Sequence, residues 1–215
     1  MPLVVAIESS SRRPTIAIAD AGTIIYDSSK ATSLDAADLS LTLSRALSEL
    51  ERVPSDIGLL VVDVGPGGLN AVRLGVSFAN GLAAALSIPI LPVTSIDILG
   101  FTASLATTNP VLVVRGASIA NVYMGLFDGG TEARVVVHGT LEQAIARLAR
   151  PTGKYTVAGR FRQEVIRALP GAEIDDAGLD EPAATDLIRY SSDLRSQTQV
   201  AQRQVDAVYF RREES

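Results

Sequence analysis

Hydrophobic residues along the chain fall into short runs separated by polar turns, and the order of these runs repeats. In the first half they predict strands at 3–7, 15–19, 23–26, 59–63 and 89–93, and helices at 36–50, 70–86 and 95–105. In the second half they predict strands at 111–114, 121–127, 133–137 and 155–158, and helices at 141–149, 161–169 and 183–194. Each half contains the order β-β-β-α-β-α. The sequence therefore predicts an α/β protein with a duplicated unit, divided into lobes at 1–106 and 107–215, and a last strand at 208–210.

A glycine-rich turn separates the fourth predicted strand from a long helix. Gly65, Pro66, Gly67 and Gly68 allow backbone angles and close approaches that other residues resist. A strand, a glycine turn and a helix N-terminus can gather amide groups around an anion. The turn has neither the lysine of a Walker P-loop nor the GxGxxG spacing. Both a phosphate-binding turn and a simple tight turn remain open.

The helix after this turn is apolar on nearly all sides. Such a helix must be covered on both sides. Two interpretations follow: a central helix enclosed within the fold, or a helix with one side on its own sheet and the other on a second protein chain. In the second case, this helix and the helix at 36–50 form the contact, with Leu39, Leu43, Leu47, Val72, Arg73, Val76, Phe78, Ala79 and Ala83 as the predicted contact residues.

The composition narrows the classes of function. Hydrophobic residues make up 47% of the 215 residues, which is typical of a globular chain, and the net charge of −5 argues against autonomous nucleic-acid binding. There is no cysteine and one histidine, His138, so the usual zinc sites cannot form. No signal peptide and no apolar run of about 18 residues is recognised. We expect a cytoplasmic protein without membrane association.

Two acidic residues lie where strands are predicted to end. Glu8 follows the first strand and Asp63 the fourth, so they form a carboxylate pair if these strands are neighbours. The alternative is that each is a solvated turn residue, with Arg12 and Arg13 close to Glu8. The predicted nucleotide-binding set comprises Glu8, Ser9, Asp63, Gly65, Gly67 and Gly68, without catalytic residues or metal ligands.

Several segments resemble the bacterial TsaB (YeaZ) family. The segments 65–67, 72–75 and 81–82 resemble the signature GPGSFTGLRIG…GLA, with 68–71 departing from it. The segment 5–10 is similar to LAIDTS, with Glu8 in place of aspartate. The segments 117–123 and 208–211 resemble DARRGEVY and PVYLR, although Gly116, Ser118 and Asn121 depart from the first of these.

This resemblance implies an actin-like (ASKHA, RNase H-like) two-lobed fold. It further implies a non-catalytic accessory subunit that binds and activates a TsaD-type catalytic subunit for threonylcarbamoyl transfer to adenosine of tRNA. A TsaE-type ATPase is the implied third component, and the chain alone is expected to form a homodimer. Contact with tRNA is expected only through the complex. No cofactor is expected on the isolated chain, with ATP or ADP and Mg²⁺ as candidates in the complex.

Two other functions remain open at this stage. One is a small actin-like ATPase or kinase that uses Glu8 and Asp63 around Mg-ATP. The other is a peptidase related to the M22 glycoproteases, which is disfavoured because no set of metal ligands is evident in the sequence.

Overall fold

The structure is a computed structural model that describes residues 2–30, 38–117, 120–129, 133–150, 152–194 and 202–207. The chain divides into two compact units. Unit 1 contains the described residues up to Thr94 and those between 183 and 207, and unit 2 contains those from 95 to 182.

The described residues form ten strands and six α-helices. The strands are β1 (Leu3–Glu8), β2 (Thr15–Asp20), β3 (Thr23–Asp27), β4 (Ile57–Asp63), β5 (Ile90–Val93), β6 (Val111–Gly116), β7 (Val122–Phe127), β8 (Val135–Gly139), β9 (Lys154–Ala158) and β10 (Glu173–Asp176). The helices are α1 (Leu39–Glu49), α2 (Leu69–Leu86), α3 (Ser95–Ser104), α4 (Leu141–Leu148), α5 (Arg162–Ala168) and α6 (Ala184–Leu194).

The sheet of unit 1 has the strand order β3-β2-β1-β4-β5. Strands β1, β2 and β3 pair antiparallel, whereas β1, β4 and β5 run parallel. Helix α2 packs against β4, β1 and β5, and it also contacts α1, which packs on β2. Helix α6 packs against β1, β2 and β4. The strands β1 and β4 are almost entirely buried, which explains why both are continuous apolar runs.

The sheet of unit 2 repeats this topology in the order β10-β9-β6-β7-β8. Strands β6, β7 and β8 pair antiparallel, and β6, β9 and β10 run parallel. Helices α4 and α5 help to enclose one hydrophobic cluster of this unit, and α3 encloses a second. The duplication predicted from the sequence is therefore present in the described strands. Strand β10 has the polar sequence EIDD, which is why its hydrophobic pattern gave no signal.

The compact units do not follow the boundary predicted at 106/107. Helix α3 follows β5 in the chain but packs against β6, β7 and β9 in unit 2, so the first division falls after Thr94. Helix α6 follows β10 but belongs to unit 1. Sequence order alone does not indicate which sheet covers the apolar face of a helix. The strand predicted at 208–210 lies outside the described residues.

One helix in the described part of the chain, α2, is long and apolar enough to span a membrane by length and composition alone. The hydrophobic pattern of the sequence predicts no apolar run of this length. Helices that pack on a sheet can meet the same criterion, and α2 contacts three strands of its own unit. We therefore treat α2 as part of the unit 1 fold.

Candidate functional site

The acidic residues predicted to pair do lie together. Strands β1 and β4 are parallel neighbours with Ile7 opposite Val62, which places Glu8 and Asp63 at the same edge of the sheet. Both side chains are fully buried, with 0% of their surface exposed. The alternative of a solvated turn acid is therefore wrong for both residues.

A serine hydroxyl connects the two carboxyl groups. Ser10 Oγ lies 3.0 Å from Glu8 Oε1 and 2.6 Å from Asp63 Oδ2. Ser11 adds two further contacts to Glu8: its backbone N–H donates to Oε1 at 2.8 Å, and its Oγ lies 2.6 Å from Oε2. Neither serine belongs to the predicted site. Their signal in the sequence is the run of hydroxyl residues directly after β1.

The environment raises the pKa of Glu8 from 4.5 to about 7. Burial is the main cause, because it disfavours the charged carboxylate, and the negative charge of Asp63 adds to it. Hydrogen bonds from Ser11 and Ser10 act in the opposite direction by stabilising the carboxylate. The pKa of Glu8 thus lies close to neutral pH.

The glycine turn is built against this pair. Gly65 has a φ of +95°, which favours glycine, and its N–H donates to Asp63 Oδ1 at 2.8 Å. A Cβ on Gly67 would lie 2.6 Å from the backbone oxygen of Ser10, a distance that real side chains do not adopt. The N–H of Gly68 points to the same oxygen at 3.4 Å. The turn therefore rests on the serine loop that follows β1.

Helix α2 also comes very close to the serine loop that follows β1. A Cβ on Gly75 would lie 2.1 Å from Ser9 Oγ, so α2 contacts the serine loop at this glycine. Ser9 is 1% exposed, and its Oγ has no hydrogen-bond partner within the described structure. Helix α2 begins at Leu69, one residue before the predicted start at 70, and Gly68 is its N-cap.

The carboxyl pair does not fit a metal–nucleotide site of the kind that an actin-like ATPase suggests. Each of the four carboxyl oxygens has a protein partner, and neither side chain has exposed surface. Among the described residues, no group of three acidic, histidine or cysteine side chains could hold a metal ion. The kinase hypothesis built on Glu8 and Asp63 therefore lacks accessible ligands in this structure.

The predicted partner-contact residues need a correction. Seven of the nine are buried inside unit 1, because they form the faces of α1 and α2 that pack within this unit: Leu39, Leu43, Leu47, Val72, Val76, Ala79 and Ala83. Arg73 is exposed and Phe78 is partly exposed. The outer side of α2 instead presents Leu74, which is 57% exposed, with Leu82 partly exposed. Leu69, at 46% exposure, is the first residue of the helix and lies on a different side. We call the residues Leu74, Phe78 and Leu82 the outer face of α2.

Comparisons with known proteins agree with this fold. The TsaD family model, described as tRNA N6-adenosine threonylcarbamoyltransferase, matches residues 31–173, about two thirds of the chain. A protein of that same name from Chlorobium phaeobacteroides (strain BS1) is 25% identical over 160 residues, which cover 69% of this chain and 38% of the relative. The tRNA threonylcarbamoyladenosine biosynthesis protein TsaB of Bacillus subtilis (strain 168) is 42% identical over 53 residues, covering 25% of this chain and 23% of that protein. The chain thus spans less than two fifths of the length of these relatives.

The solved structure of YeaZ from Pseudomonas aeruginosa matches with a TM-score of 0.76 and 23% identity, covering 98% of this chain and 100% of that one. A second Pseudomonas aeruginosa structure, described as similar to peptidase YEAZ, gives the same TM-score at 22% identity. With the duplicated topology, these matches confirm the predicted actin-like fold class. The chain belongs to the TsaD family of tRNA N6-adenosine threonylcarbamoyltransferase domains, and its predicted resemblance to TsaB (YeaZ) is confirmed.

Proposed function

We propose that this chain is a non-catalytic accessory subunit for tRNA threonylcarbamoyladenosine synthesis, which binds and activates a TsaD-type catalytic subunit. The observation that carries the proposal is the outer face of α2. Leu74 is a large apolar side chain that is 57% exposed, and the partly exposed Phe78 and Leu82 follow it at intervals of four residues on the same side of the helix. Contiguous exposed apolar surface of this kind marks sites of protein association.

The buried carboxyl pair supports the non-catalytic part of the proposal. A catalytic acid or base must reach the proton that it transfers. Glu8 and Asp63 have no exposed surface, and their oxygens are engaged by Ser10, Ser11 and Gly65. We therefore assign the transfer of the threonylcarbamoyl group to the TsaD-type partner.

The rest of the proposal follows from the family. The TsaD-type subunit is the direct partner, and a TsaE-type ATPase completes the complex. Any ATP or ADP with Mg²⁺ is held in the complex, and tRNA is reached only through it. In the absence of the partner, two copies of this chain associate through the outer face of α2, because that face is then uncovered.

Coexpression with the TsaD-type subunit of the same genome, followed by affinity copurification, tests the proposal. Leu74→Arg should abolish copurification because it places a charge in an apolar contact. Val53→Arg is the matched control, because Val53 is also in unit 1 and is 56% exposed but lies outside α2. Circular dichroism establishes that both variants fold. Normal copurification of a folded Leu74→Arg variant would contradict the proposed contact.

The activity is tested separately in a strain depleted of this protein. The proposal predicts loss of threonylcarbamoyladenosine from its tRNA, measured by mass spectrometry of nucleosides. Wild-type protein should restore the modification, and Leu74→Arg should not. An unchanged level of the modification after depletion would exclude the proposed role.

A further inference from the structure

The hydroxyl of Ser10 has too few donor protons for the two carboxyl oxygens that it contacts. Ser10 Oγ lies within hydrogen-bond distance of two carboxyl oxygens, Glu8 Oε1 at 3.0 Å and Asp63 Oδ2 at 2.6 Å. A hydroxyl group has one proton and can donate to only one of them. If both carboxyl groups were ionised, one of these contacts would place two acceptor oxygens against each other.

The second serine does not remove this shortage. Ser11 Oγ lies 2.6 Å from Glu8 Oε2 and 3.0 Å from the backbone oxygen of Arg13, so its single proton also faces two acceptors. A proton on Glu8 Oε1 gives a consistent arrangement: Glu8 donates to Ser10, Ser10 donates to Asp63, and Ser11 donates to Glu8 Oε2. Asp63 can then remain ionised, with its Oδ1 accepting from the N–H of Gly65.

The charge of Asp63 acts against ionisation of Glu8. Among the described side chains, the charge that shifts the pKa of Glu8 is that of Asp63, and it is of the same sign. Other charged side chains lie on the elements around β1: Arg12 and Arg13 in the following loop, Asp20 on β2, Arg73 on α2, and Asp186, Arg189 and Asp193 on α6. Two like charges that are buried at this spacing cannot both ionise without a large cost.

We propose that Glu8, Ser10 and Asp63 form a latch that holds one extra proton between the ends of β1 and β4 and thereby fixes the turn from which α2 begins. The turn is attached to the latch at two points: Gly65 donates to Asp63, and Gly68 points to the backbone oxygen of Ser10. Loss of the proton leaves two facing carboxylates that repel each other, and this repulsion loosens the turn. The latch belongs to the isolated chain and does not depend on the proposed partner.

Carbon-13 NMR of the full chain with labelled glutamate carboxyl groups tests the protonation directly. The Glu8 signal is identified by its loss in Glu8→Gln, and Glu142→Gln, an exposed glutamate on α4, is the matched control. We expect Glu8 to titrate with a midpoint near pH 7, more than two pH units above the ordinary glutamate value. A midpoint near 4.5 would overturn the latch.

Asp63→Asn provides the test if Glu8→Gln does not fold. Removal of the Asp63 charge should lower the midpoint of one glutamate signal, that of Glu8, and leave the others in place. If the Asp63→Asn variant folds and no glutamate titration midpoint changes, Glu8 and Asp63 do not share a proton.

Amide hydrogen exchange tests the connection to the turn. Between pH 6 and 8, exchange at Gly65 and Gly68 should accelerate by more than the roughly tenfold per pH unit of base-catalysed exchange. In Glu8→Gln or Asp63→Asn this excess should disappear, because no second carboxylate can form. The same excess in a folded variant would show that the turn responds to some other group, and the latch would be rejected.

Discussion

Ser9 Oγ occupies the position next to Gly75 where any larger residue would place its side chain: a Cβ there would lie 2.1 Å from this oxygen and 2.7 Å from Ser9 Cβ. We predict that Gly75→Ala destabilises the protein by about 1–3 kcal/mol, the usual cost of overpacking. Urea unfolding measures the change. Ser9→Gly in the same chain should recover part of it, because it removes both atoms of the clash. Gly81→Ala is the control, since a Cβ at Gly81 would meet open space.

Within the described residues, the hydroxyl of Ser9 has no hydrogen-bond partner although it is buried. We therefore predict that Ser9→Ala leaves the free energy of unfolding unchanged or raises it, because an unsatisfied polar atom is removed. Ser10→Ala should lower it by about 1–3 kcal/mol, since it takes a hydrogen-bonding hydroxyl from two buried carboxyl groups. Equal effects of the two substitutions in chemical denaturation would contradict this contrast.

The pKa of Glu8 predicts how stability depends on pH. Because the pKa is about 7 in the folded protein and near 4.5 in the unfolded chain, the folded state binds more protons between these values. The stabilisation is fully present below about pH 4.5 and is lost as pH rises to about 7, by about 3 kcal/mol for this group. Urea unfolding at a series of pH values measures the slope.

Glu8→Gln should remove this part of the pH dependence, and Glu142→Gln should retain it. If wild type and Glu8→Gln lose stability in parallel between pH 4.5 and 7, Glu8 is not the group that titrates.

Gly67 should tolerate no side chain. Its Cβ would meet the backbone oxygen and Cα of Ser10 at 2.6 and 2.8 Å, and backbone cannot move aside as a flexible side chain can. We predict that Gly67→Ala destabilises the fold and weakens partner binding. Gly68→Ala should be milder, because the nearest atom there lies at 3.9 Å. Thermal unfolding and copurification of both variants check the contrast.

The carboxyl pair was predictable because the carboxyl ends of parallel strands meet at one edge of a sheet. The sequence indicates that Glu8 and Asp63 end two strands, and the pairing of β1 with β4 supplies the remaining condition, that these strands are neighbours. The bridging role of Ser10 was not predictable, because it depends on the direction of one side chain in a loop.

The prediction of the contact residues on α2 was wrong for a different reason. When nearly every position of a helix is apolar, periodicity does not distinguish the side that packs on the sheet from the side that remains exposed. Val76 and Leu74 were equivalent in the pattern, yet Val76 is buried and Leu74 is 57% exposed.

The placement of α3 and α6 determines how the gene can be divided. A cut at residue 106 would leave α3 on a fragment without β6, β7 and β9, and would remove α6 from β1, β2 and β4. Each fragment would then expose apolar surface that packs, in the intact protein, against a helix or strands of the other fragment. Two halves produced separately should therefore stay unfolded or aggregate, whereas their coexpression should reconstitute the protein by complementation.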